Sequence, residues 1–489
     1  MRRPTDIFDD TTAVLLCGGD SRRLGYPKEV LRVDGEPLAV KLVKWLAALF
    51  PRVMVSTNRP ERLRHLLDVP LVSDEHEGLG PLGGILSALH RAEMRRVLFL
   101  PCDTPGIGKE AIAHLLSAAL RSEHPAAMAV VDGRPEPVFC VMETRLTPVL
   151  EDLLADGKGR AIRALFDRSG VENVEFTGWP RETFADIDSP EDIRVLGRFY
   201  RDVEPLPVRF QRITRLDGGR GSGGGGSNGG TAAVPSGTGA GSPSTSAAPS
   251  KRRDVVACEW PVTIHANSVE LATVLCLPQA MREMAVGFAC YLGLVGRRED
   301  VLSVEPDYRM RSVRMELDVE PEALEGAARG LVTSSCGSSV FGTPITVEER
   351  TGAAGGVAAS AGSILSWLRG LRGASPVFEM TGATHQAAYC EGDRLLYLYE
   401  DVGRHNAVDK VLGRALLDGR DLSRGVLLAT GRISSEMVIK ALRLSVPVIA
   451  GRAAVTSHAL DLADERGITV VGFARGGRLN VYTRPGRIV

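Results

Sequence analysis

"TAVLLCGG", residues 12–19, is a β-branched and apolar run that ends in two glycines. Such a run reads as a buried strand breaking into a tight turn. The pattern then repeats. "PLAVKLVKWLAALF" (37–50) has helical apolar spacing, "RVMVSTN" (52–58) reads as strand and "PERLRHLLD" (60–68) as helix. "PLVSDE" (70–75) is a third strand, "LGGILSALHRA" (82–92) a helix and "RRVLFLPCD" (95–103) a strand. Strands alternating with helices predict an α/β unit, a mostly parallel sheet covered on both faces. Right-handed crossovers then bring the loops after the strands to one edge, where ligands bind.

The chain has 489 residues, more than one ordinary domain holds. A boundary is visible at residues 217–250, which are almost wholly Gly, Ser, Thr, Ala and Pro. That composition buries too little apolar surface to offset the entropy of ordering it. The expected organisation is a first domain over 1–205, a flexible linker over 206–253 and a second domain over 254–489. The second domain reads as α/β or α+β. "RLLYLYEDVG" (394–403), "VPVIAG" (446–451) and "ITVVGFA" (468–474) read as strands. "NAVDKVLGRALLDG" (406–419) and "SSEMVIKALRLS" (434–445) read as helices, the second behind a serine N-cap.

A net charge of -1 gives no electrostatic argument for nucleic acid or a membrane surface. No run of about 18 apolar residues predicts a transmembrane helix, and the first twenty residues lack a secretory h-region. The eight cysteines (17, 102, 140, 258, 276, 290, 336 and 390) contain no CxxC pair. Neither a zinc site nor a disulfide framework is expected, and the cytoplasm is the expected compartment.

The first glycine turn continues as "LLCGGDSRRLGYPKEVL" (15–31). Gly18 and Gly19 let backbone N–H groups approach a phosphate, and Arg22, Arg23 and Lys28 add positive charge. It is neither a P-loop nor GxGxxG. Asp103 and Asp74 each follow a strand, on the same edge as the turn. Mg²⁺ is usually held by one or two carboxylates together with substrate phosphates. A nucleotide site with a metal is the reading. The bland alternative is an ordinary strand-turn-helix with solvated basic residues.

"LCGGDSRRLGYPKEVL" resembles the LxGGxSxRMGxxK signature of nucleotidyltransferases. Together with "GPLGGILSAL", "FLPCDTP", "RPEPVFCVM" and "FADIDSPEDI" it looks like the MobA type, molybdenum cofactor guanylyltransferase, over about residues 11–200. The resemblance implies a Rossmann-like nucleotidyltransferase domain. Leu16, Cys17, Gly18 and Lys28 would contact GTP, Asp74 and Asn58 would help hold the nucleotide, and Asp103 would bind Mg²⁺. Leu24 stands where the signature has Met, and Ser56 replaces one asparagine of the family's NxNR segment. The phosphate of molybdopterin would attack the α-phosphorus of GTP, giving molybdopterin guanine dinucleotide and pyrophosphate. No covalent protein intermediate is needed, so Cys17 and Cys102 read as packing residues. CTP in place of GTP is the rival reading.

In the second domain, "EDVGRHNAVDK" (400–410) gathers Glu400, Asp401, Arg404, His405, Asn406, Asp409 and Lys410. "TGRISSEM" (430–437) adds Arg432, Ser434, Ser435 and Glu436. "FARGGR" (473–478) follows a strand: Phe473, Ala474, Arg475, Gly476, Gly477 and Arg478 suit an anion cradle in which arginines grip phosphate oxygens. These segments resemble the FdhD family of formate dehydrogenase accessory sulfurtransferases over about residues 254–489, as do "VPVIAGRAAVTSHALDLA", "TGATHQAAY" and "MAVGFACYLG".

The resemblance makes Cys336, in "VTSSCGSSV" (332–340), a sulfur carrier working through a persulfide. It would take sulfur from a cysteine desulfurase and deliver it to the molybdenum cofactor of formate dehydrogenase. A homodimer through the C-terminal domain is a further expectation. Many members carry Cys-x-x-Cys here. This chain has Ser339 in the second position, so no disulfide can close within the loop. A thiolate is the reactive form, and His385 and His405 are candidates for favouring it. The rival reading is a cofactor-binding chaperone without sulfur transfer. The whole then reads as a fusion of two enzymes of molybdenum cofactor maturation joined by a flexible leash.

Overall fold

The computed structural model describes residues 6–19, 21–75, 80–155, 162–215, 250–329, 331–334, 337–340 and 359–489. Cys336 lies outside the described residues. So does most of the Gly/Ser-rich run.

The first unit is built on strands β1 (Thr11–Leu16), β4 (Arg52–Ser56), β5 (Leu71–Val72), β6 (Arg96–Pro101), β7 (Ala126–Val131), β8 (Arg134–Glu143) and β9 (Glu172–Glu175). A small hairpin, β2 (Arg32–Val33) and β3 (Glu36–Pro37), stands apart. The sheet order is β5-β4-β1-β6-β8-β7-β9, with β5, β4, β1 and β6 parallel. β8 runs antiparallel between β6 and β7. Alternation along each strand divides the core in two. Ala13 and Leu15 of β1 and Leu98 and Leu100 of β6 face one layer, which contains Leu38, Leu42 and Leu46 of the helix Leu38–Ala47. Val14, Val97 and Phe99 face the other, with Ile85 and Leu89 of the helix Pro81–Arg91. Burial on both faces is why these strands read as continuous apolar runs. The expected α/β class with a mostly parallel sheet is what forms. Residues 60–68 differ from the expected helix. Only the 3-10 turn Pro60–Arg62 and following turns form, and β5 is two residues long.

β10 (Val208–Arg215) and β11 (Ser250–Ala257) pair antiparallel, Val208 opposite Ala257 and Arg215 opposite Ser250. The expected linker, 206–253, therefore begins and ends in a two-stranded ribbon.

The second unit holds a four-stranded sheet, order β13-β12-β15-β14, made of β12 (Trp260–Ala266), β13 (Val269–Cys276), β14 (Val301–Asp307) and β15 (Ser312–Leu317). The helix Met281–Leu292 packs into its core. Two short strands, β16 (Leu331–Ser334) and β17 (Gly337–Val340), pair antiparallel on either side of residues 335 and 336. A six-stranded sheet follows, order β19-β18-β20-β21-β22-β23. Its strands are β18 (His385–Glu391), β19 (Arg394–Asp401), β20 (Val426–Ala429), β21 (Val448–Gly451), β22 (Thr469–Arg475) and β23 (Arg478–Val481). β20, β21 and β22 are parallel, and β18 is antiparallel to β20. The end of β19 and the start of β18 therefore share the carboxyl edge of β20–β22.

The two units pack against each other. Arg32 donates to both carboxylate oxygens of Glu204 at 3.1 Å and to Glu283 of the second unit at 3.4 Å. Its guanidinium also lies 5.4 Å from the Tyr399 ring centre. Glu204 and Glu283 are almost fully buried. Glu204 accepts from Ala280 N at 2.9 Å, capping the helix Met281–Leu292. Burying three charges is offset only because each has a partner. The leash expected from composition thus joins units that already share a buried polar interface.

Candidate active site and carboxyl-edge clusters

The glycine turn grows directly from the sheet. Cys17 N donates to Ser56 O at 2.8 Å and Cys102 N to Leu16 O at 3.0 Å, so β1, β4 and β6 end level with one another. Gly18 and Gly19 are exposed beyond that edge, Gly19 with a φ of 131°. The chain returns through Ser21, whose carbonyl accepts from Gly25 N at 2.8 Å, and delivers Lys28 to the end of β6. There Lys28 Nζ donates to Asp103 Oδ2 at 2.8 Å and to Asp188 Oδ1 at 2.6 Å. Arg23 also pairs with Asp188. Burial opposes the Lys28 charge, but its hydrogen bonds to Asp103 and Asp188 outweigh this and raise its pKa.

Asp188 belongs to "FADIDSPEDI". Ile187 N donates to Asp103 O at 2.9 Å, which seats this segment beside the strand end. Asp192 accepts from Asp188 N at 3.1 Å and from Ser189 N and Oγ at 2.8 Å, fixing the bend. Asp186 accepts from Thr104 Oγ1 at 3.1 Å. Desolvation, then repulsion from Asp103, raises the Asp186 carboxyl. Desolvation, then repulsion from Asp186, raises Glu136. Four carboxylates thus share a small volume with Lys28 and Arg23. Among the described residues no group of three His, Cys, Asp or Glu is disposed to hold a metal. A cation here would use one or two carboxylates and complete its shell from phosphate and water, which is the habit of Mg²⁺. Asp103 fits that part, and the surplus of negative charge favours it.

Asn58 and Asp74 sit together on the other side of the turn. Asn58 Nδ2 donates to Asp74 Oδ2 at 2.9 Å, and Asp74 N donates to Asn58 Oδ1 at 3.0 Å. Partial burial raises the Asp74 carboxyl, against the pull of Asn58. A cleft of about 440 Å³ opens beside the turn. Cys17, Gly18 and Asn58 line it, and Lys28, Asp74 and Asp103 do not. Cys17 and Cys102 are buried in the core. A hydrogen bond between their thiols and burial push the Cys17 thiol well up, which suits packing and not nucleophilic work.

In the second unit the structure separates framework from candidate site. Asp401 is fully buried and pairs with Lys410 Nζ at 2.6 Å. It also accepts from Leu277 N at 3.0 Å, Gly403 N at 2.9 Å and Asn406 Nδ2 at 3.0 Å. Glu400 accepts from Val377 N, Phe378 N and Thr384 Oγ1 at 2.8–2.9 Å, capping the helix Pro376–Thr381. Asp409 and Lys440 form a second buried pair. These five residues hold the unit together.

His405, Arg404, His385 and Glu436 are left facing the carboxyl edge. His405 Nε2 lies 2.8 Å from Glu436 Oε2. His405 Nδ1 and Arg404 Nε are buried with no hydrogen-bond partner among the described residues. Burial, then Arg404 and His405, lowers the His385 pKa. A neutral His385 beside Arg404 can accept a hydrogen bond from a ligand that Arg404 attracts. Because Cys336 is outside the described residues, neither histidine is related to it by distance.

"FARGGR" is a hairpin tip on the same edge. Arg475 pairs with Arg478 across the turn, and Gly476 and Gly477 have φ of 61° and 78°. Two successive positive φ values define a type I′ turn, so the turn itself explains both glycines. The bulge before it leaves Phe473 at a φ of 51°, costly for an aromatic residue. Arg475 and Arg478 are both exposed beside Ala474 and so remain available to an anion. Sequence reasoning did not single out Asp186, Asp188 or Glu136. Their signal was present in "FADIDSPEDI" and "RPEPVF", but only the fold brings them to Asp103.

Among the described residues no helix is long and apolar enough to cross a membrane. Residues 13–172 match the model of the MobA-like NTP transferase domain, and residues 257–489 that of the FdhD/NarQ family. The sulfur carrier protein FdhD of Bacillus subtilis is 33% identical over 242 residues, 49% of this chain and 92% of that protein. The same protein of Shouchella clausii is 35% identical over 240 residues, 48% of this chain and 90% of that one. The solved molybdopterin-guanine dinucleotide biosynthesis protein A of Archaeoglobus fulgidus is 22% identical. It covers 39% of this chain and 97% of its own, with a TM-score of 0.33. Through residues 257–489 the chain belongs to the FdhD/NarQ family, and ahead of that region it carries a MobA-like NTP transferase domain.

Proposed function

We propose that the chain carries out two steps of molybdenum cofactor maturation. In the first unit a phosphate oxygen of molybdopterin attacks the α-phosphorus of GTP, and pyrophosphate leaves. The observation that carries this reading is Lys28 held between Asp103 and Asp188 beside an exposed glycine turn. Leu16 and Cys17 set the strand edge, and the backbone N–H groups of the turn that starts at Gly18, with the Lys28 ammonium, bind the phosphates. Asn58 and Asp74, locked to each other, offer a fixed polar edge to the nucleoside. Mg²⁺ held by Asp103 neutralises charge on the triphosphate when bound. The protein's own contribution is positioning: Asp103 and Asp188 fix the Lys28 ammonium at the strand edge, and a third N–H of that ammonium can donate to a phosphate oxygen.

In the second unit the Cys336 thiolate takes the terminal sulfur of a cysteine desulfurase persulfide, and the desulfurase cysteine leaves as thiolate. The S–S bond of the new persulfide then breaks: its outer sulfur goes to the molybdenum cofactor destined for formate dehydrogenase, the Cys336 thiolate is released, and the two electrons that take that sulfur to sulfide would come from the reduced metal of the cofactor. Membership of the FdhD/NarQ family and the sulfur-carrier relatives support this. Ser339 does not stand in its way, because transfer through one persulfide needs no second thiol. Arg475 and Arg478 hold the phosphates of the guanine dinucleotide.

The test is the full chain with molybdopterin, Mg²⁺ and either GTP or CTP, with pyrophosphate release followed. Release with GTP is expected, and release with CTP alone would reject the guanylyl reading. Mass spectrometry of Cys336 after incubation with a cysteine desulfurase and cysteine should show a gain of one sulfur. Its absence would reject sulfur carriage.

A further inference from the structure

The cleft beside the glycine turn has walls from both units. Phe210 of β10, Val255 of β11 and Met380 of the helix Pro376–Thr381 line it with Cys17, Gly18 and Asn58. Phe210 and Val255 lie outside both family matches, and Met380 lies within the FdhD/NarQ match. A MobA-like domain alone contains none of the three.

Their placement is tightly specified. The Phe210 ring tip abuts Gly25, where an added Cβ would come within 2.6 Å of Phe210 Cζ. Gly25 also has a φ of 73°, so the turn and the ring fit only with glycine there. Arg253 of β11 stacks over the same ring at 4.3 Å. Met380 follows Glu379, which pairs with Arg62 at 3.0 Å and Arg59 at 3.5 Å, and both arginines line the cleft. Arg62 is held from its own side by Glu29 at 3.0 Å. Glu379 therefore clasps the rim, and Glu400 anchors its helix to the framework of the second unit.

The chemistry divides along the turn. Lys28 and Asp103, the groups suited to phosphate and metal at the end of β6, are outside the cleft. Its lining combines charged side chains (Arg22, Arg59, Arg62 and Glu29) with glycine backbone, the Asn58 amide, the Phe210 ring and the Met380 thioether. That lining suits a flat, partly apolar base and its ribose.

We propose that the ribbon and the second unit complete the nucleoside pocket of the first unit, with Phe210 and Met380 as base-contacting residues. The inference rests on the first unit being a nucleotidyltransferase. It adds that nucleotide recognition requires the two units docked. Fusion then does more than keep two enzymes near each other.

The experiment is equilibrium binding of GTP and of inorganic tripolyphosphate to the full chain. Phe210→Ala should weaken GTP roughly tenfold, since base–aromatic contact is lost. Met380→Ala should weaken it roughly fivefold through lost apolar contact, with Met380→Leu restoring most of the affinity. Tripolyphosphate should bind all variants as it binds the wild type, a pattern that general unfolding would not give. Wild-type GTP affinity in both alanine variants overturns the inference while leaving the transferase reading intact. Equal losses for GTP and tripolyphosphate also overturn it, by showing a collapsed turn instead of a lost base contact. Failure of the wild type to bind GTP at all overturns both.

Discussion

Replacing Lys410 by Met tests whether the polar run "EDVGRHNAVDK" is framework. Met has a similar length and fills the same space, so the packing change is small. What changes is charge. Asp401 is wholly buried and keeps its three neutral donors, Leu277 N, Gly403 N and Asn406 Nδ2, but loses its only ion-pair partner among the described residues. The Glu400 carbonyl loses the Lys410 donor, 3.3 Å away, as well. Breaking one side of a buried pair costs about 3–5 kcal/mol, against less than about 1 kcal/mol for an exposed pair. Set beside a domain stability of about 5–15 kcal/mol, the loss is large but leaves a folded majority.

Hydrogen exchange read by mass spectrometry separates the two units. Protection of the amides in Arg404–Leu417 should fall about 10²–10⁴-fold, while that of β1 and β6 holds. Sulfur loading of Cys336 at low temperature should persist. A loss of under about 1 kcal/mol, or abolished loading with unchanged protection, would refute the framework assignment and return Lys410 to the site.

Asp103→Asn should lower Mg²⁺-dependent nucleotidyl transfer by about 10² or more with an unchanged fold, measured as pyrophosphate release. Arg478→Ala should weaken GDP binding to the second unit's hairpin roughly ten- to a hundredfold without affecting persulfide formation, as read by calorimetry. His65 gives a pH prediction: burial pushes its imidazole down to about 4, so it is neutral in the fold and becomes protonated on unfolding. The unfolded chain then binds more protons below about pH 6.5, and this contribution is lost as pH falls from there towards about 4. His65→Gln should remove roughly 1–3 kcal/mol of acid sensitivity, visible as a flatter Tm between pH 7 and 4.5 than in the wild type.

Local periodicity made the central strands legible. Runs such as "RVLFLP" are buried on both faces and bounded by turn residues, and they became strands within a residue or two. "PERLRHLLD" misled because three-four spacing of Leu does not carry a helix through so short a connection. The chain leaves after Pro60–Arg62 to reach β5. At the site, Asp103 was legible because it follows a strand within two residues, and Lys28 because it closes the basic stretch that begins at the glycine turn after β1. Asp188, 160 residues from Lys28 in sequence, reaches it only through the Ile187–Asp103 backbone contact. In the second unit, sequence gathered framework and candidate site into one polar cluster. Hydrogen bonding separates them: Asp401 and Lys410 are sealed and paired, whereas His405, also buried, and Arg404 each keep a nitrogen without a partner among the described residues. The docking of the units was not legible, because Arg32, Glu204 and Glu283 belong to no motif.

The ribbon of β10 and β11 has a further consequence. Arg215 stands opposite Ser250, so the Gly/Ser-rich run departs and returns at the same point and bridges no gap. Loop-closure cost rises only about 0.6 kcal/mol per doubling of length. The junction is therefore an insertion port, where a reporter or affinity module can be spliced with little effect on either unit. A peptide bond cut there should not free the halves. Ribbon pairing and the Arg32 cluster would hold them as a complementing pair, and the two fragments made from separate genes should find each other and copurify.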